Sequence, residues 1–402
     1  MPSAHLPTVR EYLPLFFLLV LLAAVLRDDA VVLLFYLLAG VFIAGRWWSR
    51  KALASVVFER RFTRRAFPGE AVPVRLAVRN TGWLPLIWLG LRESVPAGLT
   101  VAAPPLDVVS LGPRGQAGLD YTLQTYKRGY YQIGPLFLSS GDVLGLDADH
   151  QRQGPADTLT VYPRLVPLTQ LGLPSRSPLG TLRHAPPIFE DPARVVGKRD
   201  YASGDSLRRL DWKATAAAGR LQVKQFEPSI ALEVMLLLDL RAESYALRAR
   251  YDASELAIVA AASLADWLTG QKQPVGLLAN GADPASGDGP PTLPPRKGRG
   301  HLMRVLEVLA RVQLAEAAPP VADLVRRQSA VLPWGATLVT ITGGLDEALT
   351  DASLHARRAG LNVVLMLVGP VTSADEARRR LKPFGVTVHA LWNEQDLAPW
   401  RG

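Results

Sequence analysis

The chain has 402 residues, a net charge of +9, a pI near 9.9 and a hydrophobic content of 49%. It contains no cysteine, which excludes disulfides, thiol catalysis and cysteine-based zinc sites. Its six histidines are scattered without the spacing of a metal site, so neither a metal nor another cofactor is expected. The length leaves room for two or three domains of roughly 100–200 residues each.

Two apolar runs open the chain, at residues 13–26 and 30–45, and only Arg-Asp-Asp separates them. Each run is slightly shorter than the ~20 residues that cross a bilayer, but flanking arginines and the pair Trp47 and Trp48 can extend it. We therefore predict a transmembrane helical hairpin in residues 1–50, with helices at about 12–27 and 29–48. A cleaved signal peptide is disfavoured because a second run follows at once, and a buried soluble hairpin because neither run has a polar face.

Seven basic residues and one acid lie between positions 46 and 65, which gives this segment +6 of the net charge. Their place directly after an apolar run favours contact with anionic lipid headgroups over binding of nucleic acid. Because Arg46, Arg50 and Lys51 follow the second run, the positive-inside rule puts both termini in the cytoplasm. The predicted location is the inner (plasma) membrane, as a multi-pass protein whose partners are the bilayer and other proteins.

Residues 54–165 alternate apolar and polar positions, with turn signals between the runs. This pattern predicts an antiparallel β-sandwich of about eight short strands. Trp83 and Trp88 are expected to pack in its core, because buried aromatic residues dominate such cores. Residues 166–229 are interpreted as a linker, rich in proline, serine and glycine up to residue 191, followed by a strongly charged segment.

Residues 230–400 alternate apolar strands with helices, which predicts an α/β domain with a mostly parallel sheet and helices on both faces. Residues 281–300 are interpreted as a loop. Ligands of such sheets bind at the carboxyl ends of the strands, so Asp239, at the end of an unbroken apolar run, marks the place for a site. A Mg²⁺ site would need oxygen ligands two and four residues later, but Arg241 and Glu243 stand there. We interpret these three residues as a degenerate metal site in which Asp239 caps a turn or pairs with Arg241.

The charged segment, residues 198–227, suggests two hypotheses about its role. Asp200, Asp205 and Asp211 could form the centre of a Mg²⁺-dependent hydrolase or nuclease, which is the alternative function. If residues 206–219 form a helix, however, Arg208 lies three residues from both Asp205 and Asp211, a spacing that makes intrahelical ion pairs. This arrangement favours a structural or partner-binding segment over a catalytic one. No small-molecule substrate is expected.

The charged segment resembles the signature of the domain of unknown function 58 family. The similarity is carried by "LQVKQFE", by "LLLDL" and by the string Tyr201-x-x-Gly204-Asp205-x-x-Arg208-Arg209-x-Asp211-Trp212-Lys213-x-Thr215-Ala216. Upstream, "KRGYYQIGPLFLSSGDVLGL" and "VYPRLVPL" are also similar, so the resemblance runs from about Lys127 to the C-terminus.

The resemblance implies a von Willebrand factor A-like domain after residue 230 and an N-terminal membrane anchor. It also implies a protein partner, a MoxR-type AAA+ ATPase that acts in protein assembly or maturation, and no established enzymatic activity. Members of the family often keep Asp-x-Ser-x-Ser after the first strand, whereas Arg241 and Glu243 replace the serines here. We therefore expect a non-enzymatic, membrane-anchored adaptor, with Lys198, Arg199, Arg208 and Lys213 available to an acidic partner.

Overall fold

The computed structural model describes residues 17–18, 21, 29–103, 105–141, 150–168, 190–201, 210–228, 233–285, 289–370 and 374–397. The chain divides into two compact units, Met1–Arg164 and Leu165–Gly402. An apolar helix and antiparallel sheets make up the first unit, and a mixed α/β sheet dominates the second.

The first long helix described in the first unit is α1, Asp29–Ala54. Among the described residues it is the one helix long and apolar enough to cross a membrane, and its 26 residues span about 39 Å. The predicted first helix of the hairpin lies outside the described residues except at positions 17, 18 and 21, which are helical, so a hairpin is not shown. The predicted end of the second helix at residue 48 is wrong, because Ala52 and Leu53 continue the helix into the core of the β-sheets.

The described part of the first unit contains eleven strands. They are β1 (Val56–Arg61), β2 (Arg65–Ala66), β3 (Ala71–Asn80), β4 (Leu86–Glu93), β5 (Leu99–Val101), β6 (Leu106–Leu111), β7 (Gln116–Thr125), β8 (Gly129–Ile133), β9 (Leu136–Ser140), β10 (His150–Gln153) and β11 (Asp157–Val161). They form sheets in the orders β1-β3-β7-β5, β10-β9-β4-β6 and β2-β11-β8, and all pairs are antiparallel except β2 with β11.

Strand β3 shows why these sheets pack face to face. Its burial alternates at every residue, as expected when one face of a strand is covered. On the covered face, Leu76 and Val78 belong to a core shared with β4 and β9, and Val72 and Val74 belong to a core shared with β8 and β11. One sheet therefore packs against the other two. The expected burial of Trp83 is wrong, because its side chain is 70% exposed in the turn after β3.

A buried ion pair lies inside this unit. The side chains of Arg60 on β1 and Glu93 on β4 are fully buried and paired, and Arg60 also bonds Asp157 at 2.6 Å. The hydroxyl of Tyr121 donates to Glu93 at 2.6 Å. Burial, together with the neighbouring Glu93 carboxylate, raises the pKa of Tyr121, so this hydroxyl stays protonated and donates.

The first elements described in the second unit are an antiparallel ribbon of β12 (Glu190–Asp200) and β13 (Gln222–Pro228), whose connection carries helix α2 (Trp212–Ala218). The ribbon falls in the segment interpreted as a linker. The helix considered over residues 206–219 starts later, at Trp212. Asp211 is extended and caps the helix, and Leu210 forms a β-bridge with Val223, so Asp211 cannot pair with Arg208 inside one helix.

The main sheet of the second unit has the order β16-β15-β14-β17-β18-β19. Its strands are β14 (Val234–Leu238), β15 (Val275–Ala279), β16 (Thr292–Arg296), β17 (Thr337–Thr342), β18 (Asn362–Val368) and β19 (Val386–Leu391). Its helices are α3 (Arg250–Gly270), α4 (Arg299–Arg311), α5 (Val321–Val331), α6 (Glu347–Arg358) and α7 (Ala374–Leu381). All pairs are parallel except β15 with β16.

The sheet follows from its sequence with two exceptions. Every residue of β14, β15 and β17 is buried, as expected for inner strands of a sheet that helices cover on both faces. Strand β16 lies in the predicted loop at residues 281–300, and its prolines are tolerated because it is an edge strand. Helix α5 was not predicted, although Val321, Leu324 and Val325 give it an apolar face at helical spacing.

Candidate functional site

The carboxyl ends of β14 and β17 form the candidate site. The chain leaves β14 toward β15 on one side and returns as β17 on the other, so the two connections diverge at the end of β14. Divergence of this kind opens a crevice at the sheet edge, where ligands of α/β folds bind. A cavity of about 380 Å³ lies there, which we call the strand-end cavity. Its lining includes Asp239, Arg241, Glu243, Thr342 and Asp346.

Asp239 lies at the floor of the strand-end cavity with no exposed surface. Its Oδ1 accepts hydrogen bonds from the backbone N–H of Arg241 at 3.1 Å and from Nδ2 of Asn280 at 2.7 Å. Its Oδ2 accepts from the hydroxyl of Thr342 at 2.8 Å. Three donors thus satisfy the carboxylate from within the chain, which is the condition under which a buried charge is tolerated.

The partners of Asp239 are themselves held in place. Oδ1 of Asn280 accepts from the backbone N–H of Leu240, and its Nδ2 also donates to the carbonyl of Pro319 at 2.9 Å. The hydroxyl of Tyr245 donates to the backbone carbonyl of Asp239. Burial and the charge of Asp239 raise the pKa of Tyr245, so this hydroxyl remains a donor.

The mouth of the cavity carries an ion pair that is more exposed than Asp239. The guanidinium of Arg241 pairs with Glu243, whose side chain is two-thirds exposed, and not with Asp239. The carboxylate of Asp346 accepts from the backbone N–H of Leu349 at 2.7 Å and caps α6. Each acid of the lining thus has a partner, and Arg241 adds a positive charge. In the part of the chain that the structure describes, no three His, Cys, Asp or Glu side chains are grouped to hold a metal ion.

The partners of Asp239 could have been predicted from the sequence, because each lies at the end of a neighbouring strand. Asn280 follows β15 directly, and Thr342 is the last residue of β17. Because the carboxyl ends of parallel strands meet at one edge, a polar residue at each of these ends is a candidate neighbour of Asp239. Sequence reasoning sought metal ligands for the site, found Arg241 and Glu243 two and four residues after Asp239, and did not assign Asn280 or Thr342 as a hydrogen-bond partner of Asp239.

The charged segment forms a second polar cluster, on the ribbon. Of the seven signature residues, Tyr201, Asp211, Trp212 and Lys213 are described, while Gly204, Asp205 and Arg208 lie outside the described residues. Asp211 pairs with Lys198 at 3.0 Å and accepts from the backbone N–H of Ala214 at 3.1 Å. The bond from Ala214 and the charge of Lys198 lower the pKa of Asp211, so it stays ionised.

Asp200 has its own partners, because it pairs with Arg220 at 3.1 Å and accepts from the side-chain amide of Gln222. The two described acids of the hydrolase alternative are therefore each engaged with a cation. Asp205, its third acid, is outside the described residues, and the alternative stays a hypothesis. Next to these pairs, Trp212 is 70% exposed, and helix α2 buries none of its seven residues.

Comparison with known proteins gives relatives without an assigned function. The uncharacterized protein YeaD of Bacillus subtilis (strain 168) is 25% identical over 313 residues, which are 76% of this chain and 74% of YeaD. An uncharacterized protein of Mycobacterium tuberculosis (strain H37Rv) is 32% identical over 120 residues, which are 30% of this chain and 36% of that protein. The chain thus matches only about a third of the length of that mycobacterial relative.

Solved structures resemble parts of the chain weakly. The CARDB domain of a Pyrococcus furiosus protein in complex with di-metal ions is 15% identical, with a TM-score of 0.21, and covers 26% of this chain and 86% of that domain. Native alpha-2-macroglobulin from Escherichia coli is 18% identical, with a TM-score of 0.24, and covers 30% of this chain and 20% of that one. Such scores carry no argument about fold or ligand.

One family model matches a region that includes both the charged segment and the residues of the strand-end cavity. Residues 197–374 match the family model described as "Protein of unknown function DUF58". The matched region contains Asp211, Trp212 and Asp239. Over these residues it confirms the resemblance to the domain of unknown function 58 family, which the sequence had suggested from about Lys127 to the C-terminus.

Proposed function

We propose that this protein is a non-enzymatic, membrane-anchored adaptor that docks a protein partner on its second unit. The observation that carries the proposal is that three acidic side chains of the second unit already have partners within the chain. Asp239 on the sheet edge and Asp200 and Asp211 on the ribbon are all engaged by donors or cations of the same chain. A hydrolase needs acids available to hold a metal ion or move a proton, and the partners of these three acids would have to give way first.

Membrane anchoring is supported by helix α1. None of its most apolar 18-residue window is buried within the described part of the protein, so this surface needs an apolar environment. In the proposed topology, a second helix at about residues 12–27 completes a hairpin, and both termini lie in the cytoplasm. Arg46, Arg50 and Lys51, which lie between the apolar part of α1 and β1, support this orientation.

The fold of the second unit supports a docking role. We propose that it is von Willebrand factor A-like, with β14 as the central strand and the strand-end cavity at the edge where such sheets meet their ligands. The partner that the family resemblance suggests is a MoxR-type AAA+ ATPase. Arg241 and Glu243 in place of hydroxyl residues fit docking without a bridging metal ion.

Trp212 and Lys213 are the residues that we propose as the centre of the docking face. Tryptophan is enriched among the residues that carry most of the energy of protein interfaces, and a Trp that is 70% exposed on a helix with no buried residues has no evident packing role. Lys213 adds a positive charge beside it, which favours a partner with acidic residues.

The test is co-purification of the full chain from native membranes, followed by mass spectrometry. We expect the variant Trp212→Ala/Lys213→Glu to lose most of the partner captured by the parent, an ATPase among the captured proteins. The matched control is Trp334→Ala, since Trp334 belongs to the same unit and is 63% exposed. Equal capture by all three chains would show that the docking face is wrongly placed.

A further inference from the structure

Helix α1 and the β-sheets of the first unit are joined without a linker. The helix ends at Ala54 and β1 begins at Val56, so a single residue, Ser55, separates them. Ala52 and Leu53 of the helix belong to the same buried core as Leu84 and Leu86 of the turn after β3 and of β4. Because the last turn of the helix is part of this core, the orientation of the helix fixes which surface of the sheets lies beside its apolar part.

Asn80 fixes the turn between β3 and β4 to this junction. Its side chain is fully buried, accepts from the Ser55 hydroxyl at 2.8 Å and from the backbone N–H of Gly82 at 2.9 Å, and donates to the carbonyls of Leu84 and Gly112. A Cβ on Gly82 would lie 2.7 Å from Oγ of Ser55, so this turn packs against the end of the helix as closely as glycine permits.

The turn that Asn80 holds presents an aromatic residue to the outside. Trp83 is 70% exposed and contacts Trp48 of α1 edge-to-face, with ring centroids 6.4 Å apart. Nε1 of Trp48 donates to the carbonyl of Pro85 at 3.0 Å. Trp47 and Ile87 are also more than half exposed. Exposed tryptophans beside an apolar helix are typical of the boundary between lipid and water, where the ring is apolar and the N–H is polar.

A groove lies next to these tryptophans. It has a volume of about 440 Å³ and runs between one face of α1, with Val41, Ala44 and Trp48, and the start of β4, with Pro85 and Ile87. Its lining is mostly apolar. A groove of this kind, next to the apolar part of a membrane helix, suits an acyl chain better than water or a polar ligand.

Three cations of α1 lie at the level of the groove along the helix axis and favour an anionic lipid surface there. Arg46, Arg50 and Lys51 lie on the two helical turns between the apolar part of α1 and the sheets, and Arg50 and Lys51 are exposed. Cations at this height attract anionic headgroups, at about 1 kcal/mol for each residue near the surface. Anionic phospholipids around the helix would supply acyl chains for the groove and headgroups for these cations.

We propose that the base of the β-sheets, formed by Trp47, Trp48, Trp83, Ile87 and the groove, is a lipid-binding surface that sits in the membrane interface. Trp83 lies at the level of the headgroups, and the groove takes an acyl chain of an anionic phospholipid. The β-sheets of the first unit therefore contact the bilayer in a fixed orientation, because their base binds lipid. This inference rests on the proposed membrane span of α1.

The absence of cysteine makes a depth measurement straightforward, since one introduced cysteine is labelled uniquely. The full chain with Trp83→Cys carries a nitroxide and is reconstituted in vesicles of phosphatidylethanolamine and phosphatidylglycerol. The matched control is Tyr126→Cys. Tyr126 is 64% exposed and follows β7, whose Gln124 pairs with Ala71 at the opposite end of β3 from Asn80, about 30 Å away.

We expect power-saturation measurements to give position 83 several-fold more contact with oxygen, relative to a water-soluble nickel complex, than position 126. Equal values at the two positions, with the protein still in the membrane after carbonate extraction, overturn the inference and leave the proposed membrane span intact. Release of the protein by carbonate overturns the membrane span itself. If Trp83→Cys does not fold, Ile87→Cys carries the same measurement.

The occupant of the groove is tested separately with a bimane label on Ile87→Cys. We expect lipids brominated along the acyl chain to quench this label several-fold more than they quench the same label at position 126. Absence of quenching overturns acyl-chain binding, and a cross-link from position 87 to residues 12–27 or to a second copy of the chain would identify the competing occupant.

Discussion

Substitution of Asp239 distinguishes a structural role of its carboxylate from a role as a metal ligand. The reason is that Asn and Ala perturb its three hydrogen bonds differently. In Asp239→Asn, the amide oxygen can still accept from the N–H of Arg241 and from Asn280. The new amide N–H₂ can donate to the hydroxyl of Thr342, which already has a second acceptor in the carbonyl of Gly344 at 3.1 Å. In Asp239→Ala, the N–H of Arg241 loses its acceptor and a small cavity opens.

The expected magnitudes follow from these losses. Hydrogen bonds to a charged group contribute about 1.5–3 kcal/mol and neutral ones about 0.5–1.5 kcal/mol, so two weakened bonds, partly offset by relief of charge burial, give about 1 kcal/mol for Asp239→Asn. An orphaned buried N–H costs about 1–3 kcal/mol, and with the cavity the loss for Asp239→Ala reaches about 3 kcal/mol.

The assay is hydrogen–deuterium exchange of the β14 amides in the full chain, which reports the free energy of opening of this part of the second unit. Since about 1.4 kcal/mol corresponds to a tenfold change, we expect exchange to accelerate several-fold in Asp239→Asn and roughly 100-fold in Asp239→Ala. Millimolar Mg²⁺ is expected to leave the parent unchanged. Slower exchange of the parent on adding Mg²⁺, abolished equally by both substitutions, would refute the structural role and point to metal binding.

Three further predictions concern buried polar groups. Burial and the nearby Arg378 lower the pKa of His389 from 6.5 to about 4, so only the unfolded chain gains a proton as the pH falls from 6.5 to 4, and the unfolding free energy drops. Between pH 7 and 5 this loss is about 2 kcal/mol, and His389→Asn should remove it in chemical denaturation of the full chain. Asn80→Ala orphans the buried carbonyl of Leu84 and removes the acceptor of Ser55 and Gly82, so it should destabilise the first unit by about 1–3 kcal/mol, measured by exchange of β3 amides. Glu93→Ala leaves the buried guanidinium of Arg60 with Asp157 and orphans the hydroxyl of Tyr121, which costs about 3 kcal/mol. The double variant Arg60→Met/Glu93→Leu removes the buried charge and should recover part of the loss of thermal stability.

The periodic parts of the fold were readable from sequence, and the exceptions have local causes. The alternation of β3 and the apolar run of β14 each depend on the residues of one strand, so the pattern carries the information. Strand β16 was missed because prolines argue against a strand, and only its place at the sheet edge makes them harmless. Trp83 was expected inside because tryptophan is usually buried, but its exposure depends on the turn that Asn80 holds.

The candidate site was readable only in part, because its contacts join distant positions. Asp239 could be singled out from the end of its strand. Its partners Asn280 and Thr342 lie 41 and 103 positions further along the chain. On the ribbon, the start of α2 was misjudged because the partner that holds the capping residue Asp211 is Lys198, on the preceding strand. Charge spacing within one presumed helix could not reveal that pair.

The charge of the buried Asp239 is informative about the role of the strand-end cavity. A buried carboxylate is rarely the most stabilising choice for a core position, and a well-packed apolar residue is often as good or better. Asp239 instead ties together three segments that leave the sheet at one edge: its own turn through the N–H of Arg241, the connection after β15 through Asn280, and the end of β17 through Thr342. These bonds give the edge a fixed floor, while the charge pair at the mouth remains accessible to solvent. A fixed floor below an accessible charged rim supports the proposed docking role, because a rigid surface reduces the entropy lost when a partner binds.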